Sequence, residues 1–532
     1  MVRAIKDPSA WSRLALDVGA GFIAGCGVGA AFPNLGLWWL TIPAMALLLA
    51  RIDQARPRRA ALIAAVFGAT FWLPHIHWAT LATGSVAPWL ALSTVQTLFV
   101  AAWGACAAAT RRLQWTRSVA GGAAAMALTW VGFEQLRSHT PWSGFPWGNL
   151  AYPQVDSPLG HLAPIGGEVL VSFAVVFIAA LCRRALDFSG GVAGLPVRRR
   201  AFIGLAAVGL FFAPALVPLP PFGDEDSLRV GAIQGNIELP GPATYAIEGK
   251  VTGNHAAVMR DLIQEEDNLD LIVWGEAALD RHPRQSDRVS SLMHSVINEG
   301  GVPTIVGYPE YFEDHRLNWV APWYPHAGLD EGEKYGKQIP VPFGEFIPLR
   351  SIISVLATEA AQINLDLWPV DNVATMDLRL NDGRDLRVAI GICFEVGYEG
   401  LLAQGVSDGG RILIIPTNNY HFRDSAQSTQ QGQILRFRSL EFARAGVQAS
   451  TTGVSMLTMP NGQIVSMTEP MAAEYVVGEL PLNSDLTLAA RSGDIPWKLA
   501  IAAATALVAW AVISPRIPPR RIARSVGNSA SD

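Results

Sequence analysis

Long stretches without a charged side chain alternate with short clusters of arginine over the first part of the chain. No Asp, Glu, Lys or Arg lies between Asp17 and Arg51, and Pro33-Asn34 divides that stretch into two helical candidates. None lies between Arg59 and Arg111 either, which leaves room for two more helices joined near residues 75–88. A hydrocarbon core about 30 Å thick takes roughly 20 mainly apolar helical residues to cross. By that measure the pattern predicts four spans here, three more near residues 118–135, 162–182 and 201–221, and an eighth from Trp497 to Ser514. Basic residues of short loops stay on the cytoplasmic side of a membrane. Arg51, Arg56, Arg58 and Arg59 follow the second span, and Arg111, Arg112 and Arg117 follow the fourth. Arg183, Arg184, Arg198, Arg199 and Arg200 follow the sixth, and Arg516, Arg520, Arg521 and Arg524 the eighth. The alternate loops at 33–36 and 75–88 hold no Lys or Arg, and the loop at 136–161 holds only Arg137. This alternation predicts a cytoplasmic N-terminus, retained as the first span, and places residues 222–496 outside the cytoplasm. Buried helices of a large soluble protein would explain neither the lengths nor the alternation.

From about Phe222 the period changes. Short β-type runs appear at 228–237, 269–277, 302–308, 386–395 and 411–419, and a pair at 445–465 carries the hairpin signal Asn461-Gly462. Helices are expected at 254–267, 286–299 and 431–445. Strands alternating with helices over this length mark an α/β domain with a core of its own. The expected organisation is a multi-pass α-helical membrane domain over 1–221, an extracytoplasmic α/β domain over 222–496, a C-terminal transmembrane helix over 497–515 and a basic cytoplasmic tail over 516–532. The polar tail after Pro519 is too poor in apolar residues to join a packed core.

Composition agrees with membrane embedding and excludes some alternatives. Half of the 532 residues are apolar and 16% are charged, with a mean hydropathy of +0.26. The net charge of -5 and the dispersed basic clusters offer no face for nucleic acid. Cys26, Cys106, Cys182 and Cys393 show no CxxC spacing, so neither a zinc site nor a disulfide framework is indicated. The first three sit in apolar stretches, which leaves Cys393 alone in the polar half. His75 and His77 lack a third ligand and read as residues of a wet interface rather than a metal centre. Most tryptophans fall near predicted span ends, as interfacial anchors do; whether Trp142 and Trp147 pack on the outer domain is left open by the sequence.

Three polar residues stand where an α/β scaffold presents functional groups. Glu276 closes the run LIVW, so a carboxylate follows a buried strand and desolvation raises its basicity. Cys393 closes VAIGI, at a strand-to-loop turn. Lys337 lies in a Gly/Pro-rich loop. A thiol with a reference pKa of about 8.5 needs a base or a cation beside it to act at neutral pH, and Glu276 and Lys337 are candidates for those roles. Taken singly, each residue is better explained structurally, Glu276 as an exposed loop acid and Cys393 as a buried cysteine.

Their contexts, in chain order, change that balance. VWGEA with Glu276, YGKQIPVPFGEFIP with Lys337 and Glu345, and GICFE with Cys393 resemble the nitrilase superfamily. The segment PFGEFIP, the flanking apolar helices, QGNI at 234–237, TNN at 417–419 and RSLEFARAGVQASTTG at 438–453 narrow the resemblance to the apolipoprotein N-acyltransferase family. The resemblance implies an αββα sandwich for the outer domain. It also implies a catalytic set of Glu276 as base, Lys337 as oxyanion partner and Cys393 as nucleophile. Glu345 and Glu395 match further acidic positions of the family's site, and Phe343, Phe346, Ile347 and Phe394 are expected to support or line the substrate site. Lys334 competes for the lysine role, but the Y-x-K spacing and the eight-residue step to Glu345 favour Lys337.

The resemblance carries implications for function as well. A phospholipid would donate its acyl chain to Cys393, and a diacylglyceryl-apolipoprotein would accept it on its N-terminal amine. The protein would be a monomer in the inner membrane of a bacterium, without metal or cofactor. Both substrates are lipids whose chains cost about 0.8 kcal/mol per CH2 to expose to water, so the site is expected to open toward the bilayer, with residues 346–368 as a lipid-facing arm. The sequence departs from the family's usual residues at Gly275 (usually Pro), Phe394 (Tyr), Ile339-Pro340 (near His-Leu) and Thr451 (Asn). A membrane-tethered amidase and an inactive membrane scaffold are the competing readings. Seven spans ahead of the domain weigh against the first, and an intact Glu276, Lys337 and Cys393 against the second.

Overall fold

The computed structural model describes residues 8–186, 195–221, 226–238, 241–351 and 364–514. The basic tail, and residues 352–363 of the expected arm, lie outside the described residues.

Helices occupy all eight apolar stretches: α1 (Pro8–Ala30), α2 (Thr41–Ile52), α3 (Pro57–His75), the short α4 (Ala79–Thr83), α5 (Val86–Thr110), α6 (Val119–His139), α7 (Ala163–Leu186), α8 (Val197–Phe212) and, after the outer domain, a last helix over Ile495–Ile513. The stretches differ more than their sequence suggests. Trp11–Ala30, Val86–Thr110, Pro158–Leu186, Val197–Leu216 and Ile495–Ile513 are long and apolar enough to cross a bilayer. By contrast α2 has only 12 residues, and α6 buries Glu134, Gln135 and Arg137 in its second half. Ser85 and Ser118 cap α5 and α6, their hydroxyls accepting from the Ala87 and Gly121 amides at 3.3 and 3.0 Å. Small residues let the backbones approach: a Cβ on Gly25 would stand 2.7 Å from the Phe67 carbonyl, and one on Gly104 2.8 Å from that of Ala60. At one end of the bundle Asp17 pairs with Arg51 and Arg59, and Asp53 with Arg183 and Arg184. The opposite end meets the outer domain, where the His75 carbonyl accepts from Gln430.

The outer domain runs β1 (Ser227–Gln234), α9 (Gly241–Tyr245), α10 (Lys250–Glu265), β2 (Leu271–Val273), α11 (Asp287–Gly300), β3 (Thr304–Tyr311), β4 (His315–Tyr324), β5 (Gly328–Leu329), β6 (Tyr335–Gly336), β7 (Asp366–Leu367), β8 (Thr375–Arg379), β9 (Asp385–Ile390), α12 (Glu399–Ser407), β10 (Leu413–Thr417), α13 (Gln427–Phe442), β11 (Gly446–Ser450), β12 (Met456–Thr458), β13 (Ile464–Met467) and β14 (Glu474–Pro481). It closes with α14 (Leu488–Ser492), and α15 (Ile495–Ile513) returns to the helical bundle, where a Cβ on Gly132 would stand 2.1 Å from that of Ala504. One sheet has the order β14-β1-β2-β3-β4-β5 with β6 and β7 on β4, and the other β13-β12-β11-β10-β9-β8. Parallel pairing at β1-β2-β3 and β9-β10-β11 results from the helices that cross between those strands. The helices α10 and α11 cover the first sheet through Met259, Leu262, Met293 and Val296, and α12 and α13 lie against the second, completing an αββα sandwich. One contiguous apolar cluster joins the membrane helices through Trp147, Tyr152 and Phe437 to the space between the sheets.

The strand runs are found where the alternation puts them, with two informative differences. The run at 269–277 is hydrogen-bonded as β2 only over 271–273, because residues 274–277 leave the sheet and carry Glu276 to its edge. The run at 386–395 stops at Ile390, and Cys393–Gly397 form a single 3-10 turn.

Candidate active site

The three candidate residues converge on one spot between the ends of the two sheets. Glu276 comes after β2, its amide donating to the Thr417 carbonyl at 3.2 Å and its own carbonyl accepting from Thr451 Oγ1 at 2.7 Å. Close passage here requires glycine at 275: a Cβ there would lie 2.4 Å from the Thr451 nitrogen and 2.5 Å from its Oγ1. Lys337 comes directly after β6 and is buried; its Nζ stands 2.9 Å from Glu276 Oε1 and 2.6 Å from Glu345 Oε1. Glu345 is fixed in turn by the Val341 amide on its other oxygen, at 2.8 Å.

Cys393 begins the 3-10 turn with φ at 57°, a left-handed backbone that a non-glycine residue adopts only where its surroundings hold it. Glu395 supplies much of that hold. Its Oε2 accepts from the Ile392 amide at 2.6 Å and from Tyr335 Oη at 2.9 Å, and its Oε1 from the amides of Gln338 and Ile339 at 2.6 and 2.9 Å. One carboxylate thus ties the Cys393 turn to the chain that carries Lys337. Asn318 on β4 is a site residue that the sequence does not reveal; its Nδ2 donates to Glu276 Oε1 at 2.6 Å, while its own carbonyl accepts from the Lys337 amide. No signal marks it, because the mixed run HRLNWVAPWY does not alternate cleanly and contains a proline.

Burial governs the electrostatics. It raises the Glu276 carboxyl above its ordinary range, against the pull of the Lys337 ammonium. Desolvation works against that ammonium, yet Glu276 and Glu345 together hold its pKa above the usual lysine value. Burial, with the charge of Glu276 second, pushes the Cys393 thiol up to about 12, while the thiol interacts with the Thr417 hydroxyl. Burial also carries Glu395 up to about 7, despite its backbone donors. A thiol, a carboxylate of raised basicity and a fixed ammonium side by side can transfer a proton, form a bond to an electrophilic carbon and hold the resulting oxyanion.

The remaining residues divide. Phe394 stacks on Phe145 and Trp147 with ring centroids 6.3 and 6.1 Å apart, so the loop after α6 walls the site. Trp147 also donates to Gln430 at 2.8 Å, and Trp142 meets Phe343 edge-on at 5.4 Å; both tryptophans therefore pack on the outer domain. Phe343 is exposed with φ at 62°, Phe346 is half-buried, and Ile347 is turned inward at 6% exposure, so Phe343 and Leu349 make the outward face of that segment. Lys334 lies over the Trp319 ring, 4.0 Å from its centroid, and Lys337 alone of the two joins the acids. His75 sits among Phe32 and Phe71, and among the described residues no group of three or more His, Cys, Asp or Glu is arranged for a metal ion.

Sequence comparison places this geometry in a family. A model of the apolipoprotein N-acyltransferase N-terminal domain matches residues 24–181, and a carbon-nitrogen hydrolase model matches residues 229–485. An apolipoprotein N-acyltransferase of Mycolicibacterium smegmatis is 29% identical over 97% of this chain and 90% of its own. One from Pseudomonas syringae pv. tomato is 30% identical over 74% of each chain. The chain belongs to the apolipoprotein N-acyltransferase family. Within this family chain, the helical part and the sandwich part are matched by separate models. Among solved structures, an amidase from Nesterenkonia sp. is similar with a TM-score of 0.36 at 14% identity, over 50% of this chain and 94% of its own. Saccharomyces cerevisiae Nit3, of the nitrilase superfamily, gives 0.35 at 14% identity, over 48% of this chain and 90% of its own.

Proposed function

We propose that this protein transfers an acyl chain from a membrane phospholipid to the N-terminal amine of a diacylglyceryl-apolipoprotein, through a thioester on Cys393. The observation that carries the reading is the contact of Lys337 with both Glu276 and Glu345 beside a nucleophile turn whose Phe394 stacks on the loop between membrane helices α6 and α7. In the first half-reaction Glu276 takes the thiol proton as Sγ attacks the ester carbonyl carbon, and the oxyanion develops against Lys337. The ester C–O bond breaks, and the proton held on Glu276 passes to the departing lysophospholipid oxygen. In the second, the acceptor amine attacks the thioester carbonyl, loses its proton to Glu276, and the C–S bond breaks as that proton returns to sulfur. Ester and amine become alcohol and amide, so nothing beyond these side chains is consumed. Because burial keeps the thiol protonated at neutral pH, proton removal accompanies attack rather than preceding it.

Orientation belongs to the same reading. The turns bearing Arg51, Arg59, Arg183 and Arg184 gather at the bundle end far from the outer domain. That end would face the cytoplasm of a bacterial inner membrane, with the site at the outer leaflet, within reach of both lipid substrates. Mass spectrometry of the intact protein incubated with phospholipid tests the chemistry. A fatty-acyl adduct on Cys393, absent from Cys393→Ser and discharged by a lipid-modified cysteinyl peptide, is expected. No adduct on the native chain, or turnover of soluble amides alone, would overturn the assignment.

A further inference from the structure

The outer domain and the membrane helices meet at four buried ionisable side chains: Arg438 and Glu441 on α13, Glu399 at the start of α12, and Glu168 on α7. Arg438 is fully buried and lies 2.9 Å from Glu168 Oε2, 2.5 Å from Glu441 Oε2 and 3.7 Å from Glu399 Oε2. Its remaining donors point elsewhere. Nε donates to the Val396 carbonyl at 3.1 Å and Nη2 to that of Gly397 at 2.7 Å, the last two residues of the turn that opens with Cys393. The guanidinium therefore grips the nucleophile turn on one side and a membrane helix on the other.

Glu168 is held as firmly from the membrane side. Its Oε1 accepts from Gln135 Nε2 on α6 and from Asn149 Nδ2, each at 2.8 Å, and its Oε2 from Tyr152 Oη at 3.0 Å. Asn149 accepts from Arg137, which also donates to the carbonyls of Phe145 and Trp147, the two rings that stack on Phe394. The helix is shaped for the contact: α7 breaks at Gly166 and Gly167. Gly167 has φ at 61°, and a Cβ there would stand 2.3 Å from Glu441 Oε1. Burying an arginine beside carboxyl groups is costly before pairing, and apolar packing would join two domains more readily. Planar, forked guanidinium bonding gives fixed geometry in return.

We propose that Arg438 is a positioning residue through which Glu168 of the membrane domain sets the Cys393 turn, so that the reactivity of the nucleophile depends on how the helices are docked. The proposal rests on the reading of Cys393 as nucleophile. In the full-length protein in detergent, Arg438→Lys keeps the charge but loses the fork. Alkylation of Cys393 by iodoacetamide, tracked at peptide level to separate it from the other three cysteines, and acyl transfer should both slow about 10- to 100-fold. KM should stay near native while kcat falls, a split that lost stability alone would not give. Gln135→Ala, which leaves every charge in place and removes one donor to Glu168, should give a smaller loss in the same two rates. Native alkylation and native kcat in a folded Arg438→Lys protein would overturn the proposal; should that variant fail to fold, native rates in Gln135→Ala would do so. Absence of any acyl adduct on the native chain would instead strike at the nucleophile assignment, since the alkylation ratio is measured without substrate.

Discussion

In the proposed reaction Glu276 takes a proton from a thiol that burial makes reluctant to lose it, and the raised basicity of the buried carboxyl favours the exchange. Removing that base by Glu276→Gln should cut the rate of acyl-enzyme formation about 10²- to 10⁴-fold, read by single-turnover mass spectrometry, with phospholipid still bound. The pH dependence has a definite sign. As the proposed base Glu276 acts unprotonated, and burial raises its pKa above 4.5, so kcat/KM should fall on acidification along a limb centred above that value. A rate that stays level down to the ordinary carboxylate range would count against Glu276 as the base. At Gly275 even a methyl group would collide with Thr451, so Gly275→Ala should destabilise the fold by about 1–3 kcal/mol. A thermal midpoint equal to the native one would show that the two segments can part without cost.

Among the elements, Glu395 ties the turn at Cys393–Gly397 to β6 and the segment after it, accepting across the gap from Tyr335, Gln338 and Ile339 and on its own side from Ile392. Glu395→Gln would turn one acceptor into a donor facing a donor, and should loosen both the nucleophile and Lys337. It also has a signature in stability. The folded carboxyl, raised from 4.5 to about 7, holds its proton more tightly than the unfolded one. Its contribution is full below about 4.5 and is lost as pH rises through about 7. Glu395→Gln should therefore flatten the thermal midpoint against pH over that interval; an unchanged slope would contradict the linkage. Much of this architecture was legible in the sequence. Charge-free stretches located the helices, and the apolar runs before Glu276 and Cys393 marked β2 and β9, because a buried parallel strand must be continuously apolar. What stayed hidden lies where pattern carries no distance. β4 and β14 are mixed runs without clean alternation, so Asn318 had no element to stand on. Arg438 and Glu168 are 270 residues apart along the chain; only packing brings them together.

At the scale of the whole molecule, the proposed lipid substrates and the apolar helices belong together. Phe343 and Leu349 are exposed apolar residues beside the site, and Trp142 leans on the first of them. Exchanging both for serine should impair transfer from phospholipid while leaving iodoacetamide alkylation of Cys393 unchanged, because water-soluble reagents need no oily approach. Topology can be checked separately. An impermeant maleimide added to intact spheroplasts should label Asn461→Cys on the β12–β13 hairpin and spare Gln114→Cys between α5 and α6. The continuous apolar interior has a practical corollary. Trp147, Tyr152, Phe437 and Leu440 are inside only because both halves are present, so a fragment trimmed to the sandwich would carry a greasy scar where the bundle had been. Such a fragment should clump in aqueous buffer, and heating the whole chain should melt both halves together rather than in two steps.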